Sequence, residues 1–363
     1  MFLQKSFVRL YSLNALKSTS RFNWKRHKVI YGLSCGALSF SIYMAYNSLS
    51  RFNDSPNLST DHFTKYRISY KKDIDEEHFL LELTPILTQN QNLWQIIGST
   101  KIWSVEIKQP EIMVVRNYTP LPFYFDASAG QIQLLKDGEN ADGKLMFYLK
   151  QYKNGEVARW IHGLGINDTV ELRGPYIEYE FPNPNHEMKR DRNILKDLEK
   201  TTHATEQKQI FKYEPLNILM FTAGTGVVPA LQLLLTESPF YGTMHLFHSC
   251  KTKSELGPLS KYLDVLDKQN RIKLHMHESS KGGNIKDVNI KELLNQIPEP
   301  VPYKEMKSNG PHNNNTNPSL ALVCGPDSFI TTVAGEKYDF SQGPVGGLLK
   351  EKGWDNQNVY KFP

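Results

Sequence analysis

Cysteine is scarce in this chain of 363 residues, with only Cys35, Cys250 and Cys324 present. Three thiols cannot build a disulfide framework. No CxxC or CxxCH spacing occurs, which argues against covalent c-type haem attachment and a structural zinc site. Acidic residues are missing from the N-terminus, the first being Asp54. A glycine is missing after the initiator Met1, where Phe2 stands, so N-myristoylation is excluded. Internal repeats are also absent. What is present is ordinary: 39% hydrophobic and 22% charged residues exclude a wholly disordered chain, and the length is enough for two domains.

The net charge of +5 is unevenly placed. Residues 1–28 hold seven basic side chains and no acid, which leaves 36 basic against 38 acidic residues elsewhere. The basicity therefore belongs to the N-terminus, and the body shows no surplus that would call for nucleic acid. An acid-free start rich in Arg, Lys, Ser and Leu reads as a mitochondrial presequence over 1–28. Val29 to Tyr46 carries no charge over 18 positions. As a helix this run would rise about 27 Å, near the hydrocarbon thickness of a bilayer, so a transmembrane helix is expected over 29–46. Lys25, Arg26 and Lys28 precede it, which keeps that end on the matrix side and sends the body into the intermembrane space as a single-pass protein of the inner mitochondrial membrane.

A polar linker follows over 47–61. From 62 to 182 short alternating runs such as Tyr66–Tyr70, Trp103–Lys108, Leu145–Leu149 and Thr169–Leu172 are punctuated by Gly, Pro, Asp and Asn, the pattern of an antiparallel barrel or sandwich. Residues 183–214 are a charged, weakly apolar insertion or linker. From 215 to 363 the period changes. Strand-like runs at Leu216–Phe221, Met244–His248, Ile272–His277 and Leu320–Cys324 alternate with helical runs at Val228–Leu235, Leu259–Leu266 and Val288–Ile297, which predicts an α/β lobe with a parallel sheet. Residues 302–318 are Asn-rich and read as a disordered loop.

Five short stretches carry chemistry. In Arg116-Asn117-Tyr118-Thr119-Pro120-Leu121 a guanidinium suited to a phosphate lies two residues from an aromatic ring on the same strand face. Lys150-Gln151-Tyr152-Lys153-Asn154-Gly155 leads into Glu156-Val157-Ala158, where backbone N–H groups of Gly155 to Ala158, entering a helix expected around Arg159 to Leu164, suit an anion. Arg173-Gly174-Pro175 ends the alternating region. Gly224-Thr225-Gly226-Val227-Val228-Pro229 is a strand-to-helix turn that lets backbone approach a pyrophosphate. The last is Cys324-Gly325-Pro326, and the chain then closes on the aromatic Phe362.

Together, in this order, these stretches resemble the NADH–cytochrome b5 reductase branch of the ferredoxin–NADP reductase family, over about residues 62–363. The resemblance implies an antiparallel β-barrel FAD domain, a parallel-sheet NAD(P)-binding domain, and hydride transfer from NADH or NADPH to FAD followed by single-electron release. It implies cofactor contacts from Arg116, Tyr118, Thr119, Pro120, Lys150, Tyr152, Gly155, Val157, Ala158, Gly224, Thr225, Gly226, Pro229, Cys324, Gly325, Pro326 and Phe362, with Thr119 and Cys324 at the reacting edges and no metal. The text Ser104–Val115 is similar to a fungal mitochondrial version of the family, which implies haem iron as electron acceptor and haem, apocytochrome c and haem lyase as partners. A reductase serving a haem-protein carrier and a non-catalytic assembly scaffold remain alternatives.

The chain departs from the family pattern in places. Glu156 and Ala158 replace a lysine and a serine of the phosphate loop, with Arg159 a candidate substitute for the lost charge. Val228 replaces a threonine, and Asp327-Ser328-Phe329 replaces Pro-x-Met. Lys251 and Lys253 are candidates for a coenzyme 2′-phosphate and Glu255 for ribose hydroxyls, so relaxed coenzyme use is expected. His275 and His277 alternate on one strand and read as packing residues, and Cys250 as structural.

Overall fold

The computed structural model of the chain describes Ser41 and residues 57–98, 101–136, 138–153, 155–181, 217–236, 243–282, 290–301, 317–338 and 341–363. The expected presequence, all of the charge-free span except Ser41, the insertion 183–214 and nearly all of the loop 302–318 lie outside these residues. Among the described residues no helix is long and apolar enough to cross a membrane. The chain divides into Met1–Ser55 and Pro56–Pro363.

The first half of the second unit is antiparallel. Its elements are β1 (Thr64–Asp73), β2 (His78–Pro85), α1 (Leu93–Ile97), β3 (Lys101–Gln109), β4 (Val114–Tyr118), β5 (Phe123–Asp126), β6 (Gln131–Leu134), β7 (Leu145–Lys150), α2 (Glu156–Gly163) and β8 (Thr169–Glu180). Six strands form one sheet in the order β4-β3-β8-β1-β2-β7, every neighbouring pair antiparallel, with β5 and β6 a separate hairpin. The two edge strands meet where the chain leaves β4. Leu121 bridges Met146 of β7, its N–H donating to the Met146 carbonyl at 2.7 Å, so the sheet curls until its edges touch.

Strand β2 sits between β1 and β7 with both faces covered. Phe79, Leu81 and Leu83 enter one apolar cluster while Leu80 enters another, so apolar residues stand on both faces and the run does not alternate. Its buried Glu82 is satisfied by the Ser69 hydroxyl and the Phe125 N–H, both at 2.6 Å, which anchors the β5 hairpin.

The second half holds β9 (Ile218–Ala223), α3 (Val227–Leu235), β10 (Met244–Cys250), α4 (Ser260–Lys268), β11 (Ile272–Glu278), α5 (Ser279–Gly282), α6 (Ile290–Gln296), β12 (Leu320–Cys324), α7 (Asp327–Ala334), α8 (Gly347–Glu351) and β13 (Val359–Lys361). The strands make a parallel sheet in the order β11-β10-β9-β12-β13. That order places a topological switch between β9 and β12, at whose carboxyl ends ligand crevices form.

One apolar cluster runs through both halves, joining Leu80, Leu121, Phe123 and Met146 to Met220, Leu231, Leu246 and Leu263. Polar contacts fix how the halves meet. The Tyr148 hydroxyl donates to the Glu255 carbonyl (2.8 Å), and that of Tyr360 to the Glu178 carbonyl (2.6 Å). The Gln232 amide reaches the backbone of Trp103 and Pro120 (2.9–3.0 Å). At the C-terminus the Lys361 ammonium is buried on the carbonyls of Glu336 and Pro344, pinning β13.

His248 on β10 is 1% exposed, with Nδ1 2.9 Å from the Thr222 hydroxyl. Burial brings its pKa down from 6.5 to about 4. The unfolded chain takes up the proton first, so the associated stability is complete above pH 6.5 and is lost as the pH falls toward 4. His248→Gln keeps a partner for Thr222 and removes this titration. Thermal unfolding followed from pH 7 to 4 is expected to show a shallower fall in midpoint for that variant than for the unaltered chain.

Candidate functional site

The carboxyl ends of β9 and β12 face the curled sheet across a crevice of about 620 Å³. On the antiparallel side it is lined by Arg116, Tyr118 and Thr119 leaving β4, Lys150 and Tyr152 leaving β7, and Gly155, Val157 and Ala158 opening α2. On the parallel side Thr225, Gly226 and Pro229 line the turn into α3, and Cys324, Gly325 and Pro326 the turn into α7. Residues from four stretches, which begin at Arg116 and end at Asp327, thus converge on one space. The lining also includes Asn117, Tyr148, Ala223, Val228 and Asp327.

Arg116 is exposed on edge strand β4, its Nη1 donating to the Val115 carbonyl at 2.8 Å, and it has no ion pair among the described residues. Tyr118 packs its ring against the barrel cluster. Burial pushes its phenol well above the ordinary value, an effect partly opposed by Arg116. Helix α2 begins at Gly155 with no side-chain cap, so the amides of its first turn are left for an external acceptor. Glu156 stands in that same turn and adds negative charge beside it. Lys150 lines the space but its ammonium is 3.0 Å from Glu77.

On the opposite wall Gly224 adopts φ +54°, a left-handed conformation that favours glycine. At Gly226 a Cβ would lie 2.4 Å from the Cys324 carbonyl, so only glycine lets β9 and β12 close at this point. Burial, with the Glu178 carboxylate second, pushes the Cys324 thiol up to about 12, while Lys337 pulls the other way, so the thiol stays protonated at neutral pH.

Several expected contacts fall elsewhere. Phe362 does not line the crevice. It packs in the core against Tyr179 and Tyr360, because its N–H continues the ladder to the Val323 carbonyl (2.8 Å), and Pro363 reaches the crevice instead. Gly224 and Pro120 shape the walls without lining them; Pro120 offers its carbonyl to Gln232. Arg159 does not line the crevice; its Nη1 donates to the Lys153 carbonyl (2.8 Å). Glu255 is 6% exposed and turned inward to the Lys251 N–H (3.1 Å), so it does not present itself to ribose hydroxyls. The Lys253 ammonium is paired with Asp264 at 2.6 Å. His275 stacks on Phe247 with centroids 4.2 Å apart.

Sequence reasoning passed over Gln232. Its signal was visible, as the one polar residue in the otherwise apolar helix VVPALQLLL.

No family model matches. The chain is 48% identical over 350 residues, covering 95% of each chain, to the cytochrome c mitochondrial import factor CYC2 of Saccharomyces cerevisiae. It is 25% identical over 309 residues (84% of this chain, 87% of the other) to an uncharacterized FAD-binding protein of Schizosaccharomyces pombe. It is 26% identical over 259 residues (69% and 67%) to NADH-cytochrome b5 reductase 2 of Kluyveromyces lactis.

Gly226→Ala is expected to destabilise the fold by about 1–3 kcal/mol, since the new methyl meets backbone and not a flexible side chain. Chemical denaturation that gave an unchanged midpoint would show the closure of β9 on β12 to be looser than described.

Proposed function

The chain belongs to the family of the yeast cytochrome c mitochondrial import factor, and from that premise we propose that it is a mitochondrial flavoprotein oxidoreductase using FAD and NADH or NADPH. The observation that carries the reading is the convergence of Arg116–Thr119, the uncapped start of α2 and the Thr225–Gly226 turn on one crevice.

The residues present fit a flavin dinucleotide. A guanidinium with no ion pair among the described residues and a free helix start suit its diphosphate. A tyrosine ring on the same wall suits its planar ring, and the glycine turn opposite admits the pyrophosphate of a second dinucleotide. Bound FAD would supply the acceptance of a hydride from NAD(P)H and the release of its two electrons one at a time.

In this reading Arg116 and the amides of Glu156–Ala158 hold the diphosphate, Tyr118 lies against the isoalloxazine, and Thr119 sits at its reactive edge. Gly155, Val157, Lys150 and Tyr152 shape the diphosphate end. Thr225, Gly226 and Pro229 border both dinucleotides. Cys324, Gly325 and Pro326 form the nicotinamide wall, where a neutral thiol gives a soft, uncharged surface that excludes water. The barrel half is the flavin lobe and the parallel half the nucleotide lobe.

The acceptor proposed is haem iron, kept ferrous for attachment to apocytochrome c by haem lyase. The import-factor relative supports a cytochrome c setting and the b5 reductase relative a haem-protein partner. Anchoring by 29–46 in the inner membrane, with the body in the intermembrane space, rests on the charge pattern of the N-terminus.

Purified chain is expected to carry a flavin spectrum that bleaches on anaerobic addition of NADH or NADPH and recovers on addition of haemin. A colourless chain that still binds apocytochrome c would make it an assembly scaffold. Bleaching that recovers with cytochrome b5 and not with haemin would make it a carrier-serving reductase. Arg116→Ala is expected to weaken FAD by about 1.5–3 kcal/mol, roughly tenfold to over a hundredfold, by removing a charge-assisted contact. Unchanged flavin occupancy after dialysis would remove Arg116 from the diphosphate.

A further inference from the structure

Strands β3 and β4 pair in a register that sets Val105 opposite Tyr118. Continued by two residues, the same register would set Trp103 opposite Pro120. The ladder cannot continue there, because proline has no N–H to donate. The Gln232 side chain fills the place. Its Oε1 accepts the Trp103 N–H at 3.0 Å, and its Nε2 donates to the Trp103 carbonyl at 3.0 Å and to the Pro120 carbonyl at 2.9 Å. The amide thus acts as a surrogate peptide group wedged between two strands that have begun to part. It is 1% exposed, so each bond is made out of water and each group would be orphaned without it.

The wedge belongs to the other lobe. Gln232 lies on α3, one turn beyond Val228 and Pro229, which line the crevice on the nucleotide side. The atoms it grips belong to Trp103 on β3 and to Pro120, the residue after Thr119. A single short helix therefore carries one crevice wall and, through one amide, holds the end of the opposite wall.

We propose that Gln232 is a positioning residue that sets the gap between Thr119 and the Thr225–Val228 wall. The functional part of this inference rests on the flavin reading above. The clamp itself does not, since its bonds are made in the protein alone. Removing the amide leaves the Trp103 N–H and two carbonyls unpaired and frees Pro120 to drift. The reacting edges then lose registry, while the diphosphate contacts are kept, because the β3–β4 ladder still sets Arg116 opposite Ile107 and the α2 amides take no part in the clamp.

The test uses the full-length chain and Gln232→Met, of similar length without polar atoms. Amide hydrogen exchange reads the clamp in the absence of FAD. The Trp103 amide should be strongly protected in the unaltered protein and exchange at least tenfold faster in the variant. With FAD bound, stopped-flow bleaching by saturating NADH should slow at least tenfold in the variant, with little change in KM or in flavin occupancy. Gln232→Glu keeps the acceptor but sets a carboxylate against two carbonyls, and should slow bleaching as well.

If Gln232→Met fails to fold, the exchange measurement on the unaltered chain still decides the clamp. A Trp103 amide exchanging at the rate of an open strand edge overturns it. Unchanged bleaching at full occupancy in Gln232→Met overturns the positioning role. An unaltered chain that takes up no FAD is a failure of the flavin reading, and the exchange result then stands apart from it.

Discussion

The architecture turns on where strand β4 stops. A proline two residues beyond its end forbids further pairing with β3, and the freed chain crosses to β7, where Leu121 meets Met146 and brings the sheet edges together. Without that break the motif strand would run on as an ordinary edge. With it, Arg116, Tyr118 and Thr119 stand at the rim of a curled sheet, facing the switch point of the parallel sheet. The space between them exists because one ladder is interrupted and another lobe supplies the missing partner through Gln232.

The two halves are joined by both apolar and polar contacts, with different consequences. The shared cluster of Leu, Met and Phe side chains supplies most of the driving force, at about 25 cal/mol per Å² buried, but apolar contact alone tolerates sliding. The buried hydrogen bonds of Gln232 and Tyr148 to backbone carbonyls do not, because a shift of an ångström strands each partner without water, and the part-buried bond of Tyr360 to Glu178 adds to them. Two of these carbonyls, at Pro120 and Glu255, flank segments that border the crevice or its nucleotide end. Registry is fixed nearest to where a ligand would feel it.

Much of this was legible in the sequence. Alternating runs became β1, β3, β7 and β8, and the βα alternation after 215 became the parallel sheet, because period is set by which faces are buried. Strand β2 was not legible, since burial on both faces erases its alternation. Most residues that line the crevice were named through the resemblance of four short stretches, in order, to family motifs; an Arg-x-Tyr pair or a glycine turn taken singly fits an ordinary strand or turn equally well. Phe362, Arg159, Glu255 and Lys253 were misplaced for one shared reason. Their side chains or ladders are claimed by neighbours, respectively Val323, Lys153, the Lys251 amide and Asp264, and such claims depend on turn geometry that spacing does not encode. Gln232 could have been singled out, because a lone amide inside an apolar helix must find buried partners.

The electrostatics of the crevice make that geometry matter more. Of its two lining cations, Lys150 is committed to Glu77, and Glu156 sets a negative charge in the first turn of α2 against the partial positive charge of the helix start. Arg116 is then the cation left to meet an anion, and it stands on an edge strand paired on one side only. The strand's far end is tied twice, by the Leu121 bridge and by the Gln232 amide on Pro120. A site with weakened charge can still hold a diphosphate if its one strong contact is preorganised, because less freedom remains to be lost on binding. That preorganisation comes from the β3–β4 ladder, which sets Arg116 opposite Ile107, while the clamp at Pro120 fixes the reacting edge beyond it.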